Sequence, residues 1–221
     1  MTNEHHLTVQ RTARYFTMGG NPLGEVSDQT TDLWFCLHGF GQLAQYFSRK
    51  FTDVADDKTI VVVPEGLSRL YLNGEYNRVG ASWLTREDKE HEIRDFLAYL
   101  NQLYDTILAG SSPEKLRITV LGFSQGAATA CRWIEDGHIR VDRLFLWAGF
   151  FPNGLADVIQ PNTLKAVETH YVYGRQDEYI EQMPDPEAYI QRIQADLPSV
   201  RITAYEGDHR VDSGVLMQLI R

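Results

Sequence analysis

Two patterns of apolar positions alternate along this chain. Short apolar, often β-branched runs predict strands at Asp32–Leu37, Thr59–Val63, Leu116–Leu121, Arg143–Trp147, Glu168–Tyr173 and Arg201–Tyr205. Between them lie stretches with helical spacing. The clearest runs over about 88–109, where Ile93, Phe96, Leu97, Leu100, Leu103, Tyr104, Ile107 and Leu108 recur at steps of three and four. Thr85 with Asp88 has the spacing of a capping box at its start, and Gly110 suits its end. Further helices are expected over roughly Leu43–Phe51, from Ala127 through Cys131, over Pro186–Leu197 and over Val211–Ile220. Leu7–Met18 reads as one or two antiparallel strands, and Gly19 to Pro22 through Ser27 and Asp28 as turn chemistry. Residues 65–86 read as a long irregular loop. Helices between successive strands imply right-handed crossovers and a mostly parallel sheet covered on both faces. Such sheets bind ligands at the carboxyl ends of their strands.

One of those ends carries unusual chemistry. The strand Leu116–Leu121 runs into Gly122-Phe123-Ser124-Gln125-Gly126, a G-x-S-x-G pentapeptide, and then into a helix of small residues. A turn tight enough to lift a serine hydroxyl above a sheet leaves no room for side chains two positions either side, so glycine belongs at both. The backbone N–H after the serine and the helix N-terminus then point at the same place.

A serine hydroxyl needs a base, normally a histidine oriented by a buried carboxylate. Of seven histidines, His5 and His6 lie at the terminus, His91 in the first turn of the long helix, His138 at the end of the serine helix, and His170 near the start of a strand. Only His38 and His209 follow strand C-termini. His38 precedes Gly39-Phe40-Gly41, where backbone N–H groups are wanted, so its imidazole is expected to brace that loop; His209 is the expected base. Asp177, three residues past Gly174, is the expected acid, with Glu178 and Asp208 as competitors. The order Ser124, Asp177, His209 is that of α/β-hydrolases, each member being expected on a successive crest of the sheet. Two donors for an oxyanion are expected from the Gln125 and Phe40 N–H groups.

These segments resemble the carboxylesterase/phospholipase group of α/β-hydrolases, the branch that includes acyl-protein thioesterases. Leu37-His38-Gly39-Phe40-Gly41, Gly122-Phe123-Ser124-Gln125-Gly126, Gly174-Arg175-Gln176-Asp177 and Gly207-Asp208-His209 stand in the order and approximate spacing of that family. The resemblance implies an α/β-hydrolase fold in one domain over 1–221, with no large cap and no cofactor. It implies Ser124 as nucleophile, Asp177 as acid, His209 as base, and Phe40 and Gln125 as backbone donors. Asp208 stands where members commonly carry a second glycine, and residues 65–85 do not follow their substrate-channel segment.

Composition narrows the partners. A formal net charge of −9, with no basic stripe, argues against nucleic acid and anionic membranes, and it disfavours polyanionic substrates. Cys36 and Cys131 fall inside predicted elements and are expected to be free buried thiols, and no Cys/His spacing resembles a metal site. The polar N-terminus and the lack of a long apolar run predict a cytoplasmic protein without an integral membrane segment. Leu70, Tyr71, Trp83, Phe150, Phe151 and Tyr179 are candidate lining for a pocket that takes a neutral, modestly apolar, small-molecule ester. Thioester or lysophospholipid hydrolysis, acyl transfer, and a non-catalytic scaffold that binds a ligand or partner are the open alternatives, and an oligomer is compatible with all of them.

Overall fold

The computed structural model describes residues 1–21 and 24–221; Pro22, in the expected turn, lies outside them. Its centre is a seven-stranded sheet built from β1 (Tyr15–Met18), β2 (Asp32–Leu37), β3 (Thr59–Pro64), β6 (Arg117–Phe123), β7 (Arg143–Trp147), β8 (Glu168–Gly174) and β9 (Arg201–Tyr205). The spatial order is β1-β3-β2-β6-β7-β8-β9. All neighbours are parallel except β1, which runs antiparallel to β3 at the edge. The parallel strands are the continuous apolar runs of the sequence because both of their faces are covered. β1 is shorter than expected, and residues 7–14 form no strand.

Two apolar layers sandwich the sheet. On one side α2 (Lys89–Ile107), α3 (Gln125–Glu135) and α5 (Pro186–Asp196) pack with Leu33, Phe35, Val120, Leu144 and Tyr171. On the other, α1 (Ala44–Phe47) and α6 (Ser213–Ile220) cover Trp34, Val61, Leu121 and Phe145. The periodic face of α2 is the buried one: Phe96, Leu100, Leu103 and Tyr104 are in the core. Both cysteines are free and buried. No helix among the described residues is long and apolar enough to cross a membrane.

Two local expectations fail. Residues 65–86 are not irregular: β4 (Ser68–Tyr71) and β5 (Val79–Ser82) form an antiparallel hairpin, tied to the loop after β2 by Gly41 N–H donating to Ala81 O at 2.8 Å and Ala81 N–H to Gln42 O at 3.1 Å. Its β4 strand alternates half-buried and exposed residues, too short a signal to read against a loop. Nor do Thr85 and Asp88 form a capping box. Asp88 is itself the residue before α2, in left-handed backbone (φ 50°), with no side-chain cap. Thr85 instead donates its hydroxyl to Glu92, in the first turn, at 3.1 Å.

Candidate active site

The parallel register sets the site. Leu37 lies opposite Gly122, Phe123 opposite Trp147, Trp147 opposite Val172, and Gly174 opposite Tyr205. The ends of β2, β6, β7, β8 and β9 therefore share one edge, and the segments that follow them meet above it.

Ser124 turns directly from β6 into α3 at φ 53° and ψ −116°, a conformation most residues avoid. Its N–H is held by Trp147 O at 2.9 Å. Close approach explains both glycines. A methyl at Gly122 would lie 2.3 Å from Gly126 O, and one at Gly126 would lie 2.2 Å from Leu37 O. The serine is left half-buried at the sheet edge.

Ser124 Oγ is 3.0 Å from His209 Nε2, and His209 Nδ1 is 2.7 Å from Asp177 Oδ2. Asp177 is only 1% exposed, and its other oxygen accepts the Tyr179 N–H at 2.9 Å. An ionised carboxylate can only accept, so it fixes the proton on Nδ1 and leaves Nε2 free to accept from the serine. The ring rests against Phe123 and Tyr179, with centroids 4.8 and 4.6 Å away. The acid loop is anchored to the histidine loop: Arg175 N–H donates to Tyr205 O at 2.8 Å and Gln176 N–H to Gly207 O at 2.9 Å. Of the competing acids, Glu178 is exposed, and Asp208 pairs at the surface with Arg210 at 3.0 Å. The three side chains do not rise from successive crests, because β7 stands between β6 and β8.

The segment after β2 passes beside the serine; a methyl at Gly39 would lie 3.2 Å from Ser124 Cβ. Among the described residues, neither the Phe40 nor the Gln125 N–H donates to a protein acceptor. His38 is fully buried and braces this loop, as expected. Its Nδ1–H donates to Gly39 O at 2.7 Å, and its Nε2 accepts the Gly66 N–H at 2.9 Å. Burial lowers its pKa and outweighs the opposing pull of Gly39 O and Glu65, so it is held neutral.

Two supports escaped the sequence reading. Glu65, directly after Pro64, is buried and accepts from Arg14 and Arg69 at 2.8 Å each and from Ala44 N–H, the first residue of α1, at 3.1 Å. Burial alone would raise its pKa; the arginines and the amide lower it overall. A lone glutamate closing an apolar strand was the available signal. The Gln125 side chain accepts from Trp83 N–H at 3.0 Å and donates to Leu84 O at 2.8 Å, locking the hairpin's exit to the serine turn.

The candidate pocket residues divide. Tyr71, Phe150 and Tyr179 are more than half exposed on the rim, and Leu70 is half-buried in the hairpin. Trp83 and Phe151 are not rim residues. Trp83 packs on Phe96 and His38 and donates its indole N–H to His38 O at 2.8 Å, and Phe151 lies in the same core layer. Among the described residues, three metal-type side chains gather only at His6, Asp88 and His91, on the N-terminal arm and the start of α2 rather than at this edge.

The family model described as Phospholipase/Carboxylesterase matches residues 25–221. No curated protein sequence matches the chain. Solved structures of similar fold include acyl-protein thioesterase 2 of Zea mays, with TM-score 0.66 and 16% identity over 94% of this chain and 96% of that one. Esterase PE8 aligns with TM-score 0.58 and 18% identity over 96% and 99%. Arabidopsis thaliana SOBER1 aligns with TM-score 0.58 and 14% identity over 86% and 96%.

Proposed function

The chain belongs to the phospholipase/carboxylesterase family, whose members are hydrolases of esterase type, and on that premise we propose that it cleaves carboxylic esters through an acyl-enzyme on Ser124. As Ser124 Oγ attacks the acyl carbon, His209 Nε2 takes the hydroxyl proton, and Asp177 stabilises the imidazolium that forms. The carbonyl oxygen becomes an oxyanion and accepts from the Phe40 and Gln125 N–H groups. Collapse of the tetrahedral intermediate breaks the ester C–O bond, and His209 returns the proton to the leaving alkoxide. Water then attacks the acyl-enzyme with His209 again as base, regenerating the serine and releasing the acid.

The observation that carries this reading is the unbroken hydrogen-bonded run from Ser124 Oγ through His209 to the buried Asp177. A scaffold that only bound ligand would have no use for a strained serine whose hydroxyl meets the unprotonated face of an oriented imidazole. Labelling with a fluorophosphonate probe tests it. Wild type is expected to label at Ser124, and Ser124→Ala to lose both label and turnover, with losses of roughly a million-fold known for serine removal in such triads. A folded wild-type protein that neither labels nor hydrolyses short-chain p-nitrophenyl esters would instead favour the scaffold.

A further inference from the structure

Beside the candidate active site lies a groove of about 600 Å³ between α1 and the β4–β5 hairpin. That is the size of a small-molecule site. It begins at Gly41, one residue beyond Phe40 and two beyond the Gly39 that backs onto Ser124. Its apolar wall is Leu43, Phe47, Leu72 and Val79, and its charged groups are Lys50 and Arg78. Among the described residues that line it none is acidic, in a chain whose Asp and Glu outnumber Lys and Arg by 30 to 21. Neither cation has an ion-pair partner among the described residues. The backbone under each is fixed: Lys50 O accepts from Ser213 Oγ at 2.9 Å, and Arg78 O from Leu72 N–H at 2.8 Å. A third cation, Arg49, stacks over the ring of Tyr46, which also lines the groove. The carboxylate of the hairpin tip, Glu75, accepts from the Asn77 side chain at 2.7 Å.

From this arrangement we propose that the groove receives the part of the substrate that carries a carboxylate several carbons from the scissile ester. The carbon chain lies along the apolar wall and the carboxylate meets Lys50 and Arg78. The inference rests on the esterase reading and narrows its substrate class. It departs from the expectation of a neutral ester, which was drawn from the net charge. At physiological salt the field of distant acids is screened beyond about 8 Å, so the two cations in the groove decide the local potential.

The test compares matched esters at low salt. One pair is mono-p-nitrophenyl suberate and p-nitrophenyl octanoate, which differ in a terminal carboxylate on the acyl side. The other is 8-acetoxyoctanoate and octyl acetate, which differ on the alcohol side. In one pair kcat/KM is expected to favour the carboxylate by about five- to tenfold, as two partly exposed ion pairs allow. The ratio should fall toward one in Lys50→Gln/Arg78→Gln and at about 0.5 M salt. Ratios near one in both wild-type pairs, or a preference that survives the double substitution, would overturn the proposal. So would stronger competitive inhibition by octyl phosphate than by octanoate. Calorimetric binding of monomethyl suberate and methyl octanoate to Ser124→Ala separates the two readings. A carboxylate preference in binding without turnover of any ester by wild type would sink the esterase and leave the groove; turnover without a preference would do the reverse.

Discussion

Asp177→Asn isolates the orienting role proposed for this acid with little disturbance of the fold. In the structure one carboxylate oxygen accepts from Tyr179 N–H and the other from His209 Nδ1–H. An asparagine in the same place has one acceptor and one donor end. Turning its NH₂ toward Tyr179 would set two donors face to face at 2.9 Å, so its oxygen stays on that amide. The NH₂ then faces His209 Nδ1, which must accept, and the ring proton moves to Nε2. Nε2–H then points at Ser124 Oγ, 3.0 Å away, and cannot take the serine's proton. The expected loss is about 10⁴-fold in kcat, or about 5.4 kcal/mol of activation free energy at 1.36 kcal/mol per decade. Stability should barely change, because asparagine caps a helix as well as aspartate does, and Asp177 caps the short α4 (Glu178–Glu181). The assay is steady-state hydrolysis of p-nitrophenyl butyrate beside a thermal melt, with Glu178→Gln and Asp208→Asn as controls expected within about twofold of wild type. A folded Asp177→Asn enzyme that kept more than a tenth of the wild-type rate would refute the tautomer argument.

Gly126→Ala should lower the melting temperature, because its methyl would press on Leu37 O and His38 O at 2.2 and 2.7 Å. The overpacking is expected to cost about 1–3 kcal/mol, and activity should fall with it as the loop carrying Phe40 is pushed from Ser124; a variant with unchanged melt and rate would contradict the close packing. Glu65→Ala leaves the Ala44 N–H and two partly exposed arginines without their acceptor. It should cost about 2–3 kcal/mol, between the values for exposed and fully buried ion pairs, or roughly 4–12 °C in Tm for a domain of this size. Because the folded pKa of Glu65 is lowered, its contribution is complete above the unfolded value of about 4.3 and is lost as pH falls through the folded value. The difference in Tm between wild type and Glu65→Ala should therefore shrink in acid, and a constant difference down to pH 2 would count against it. His38, with its pKa lowered by burial, should titrate below the free imidazole value of about 6.5 in ¹⁵N imidazole spectra and be Nδ1-protonated when neutral, since a proton on Nε2 would face the Gly66 N–H. The stability it lends is complete above the unfolded value of about 6.5 and lost as pH falls through the lower folded one; a titration midpoint at or above the free imidazole value would refute this.

Much of the fold was legible in the chain because it rests on local rules. β2, β6 and β7 are buried on both faces and announce themselves as unbroken apolar runs. The two glycines around Ser124 are demanded by the turn itself. The rule that ligands meet strand C-termini narrowed the candidate base to His38 or His209 and left Asp177 in competition with Glu178 and Asp208. What remained hidden depends on partners far away in sequence. The β4–β5 hairpin is half-exposed and is held by Gly41, Gln42 and the Gln125 side chain. Glu65 looks like any surface acid until Arg14, 51 residues earlier, folds over it. Trp83 and Phe151 carry the same apolar signal as Tyr71 and Phe150, and only packing against α2, α3 and α5 decides which are core and which are rim.

Taken alone, the sequence determined the buried parallel strands, the serine turn and the edge of the sheet where chemistry would gather, since steric limits and hydrophobic period act over a few residues. Tertiary structure alone decided that β7 stands between the strands carrying Ser124 and Asp177, that His38 is fully buried with a lowered pKa, and that two cations face a groove lined by no carboxylate among the described residues. Those outcomes depend on which surfaces meet after collapse, and neither residue spacing nor net charge encodes that.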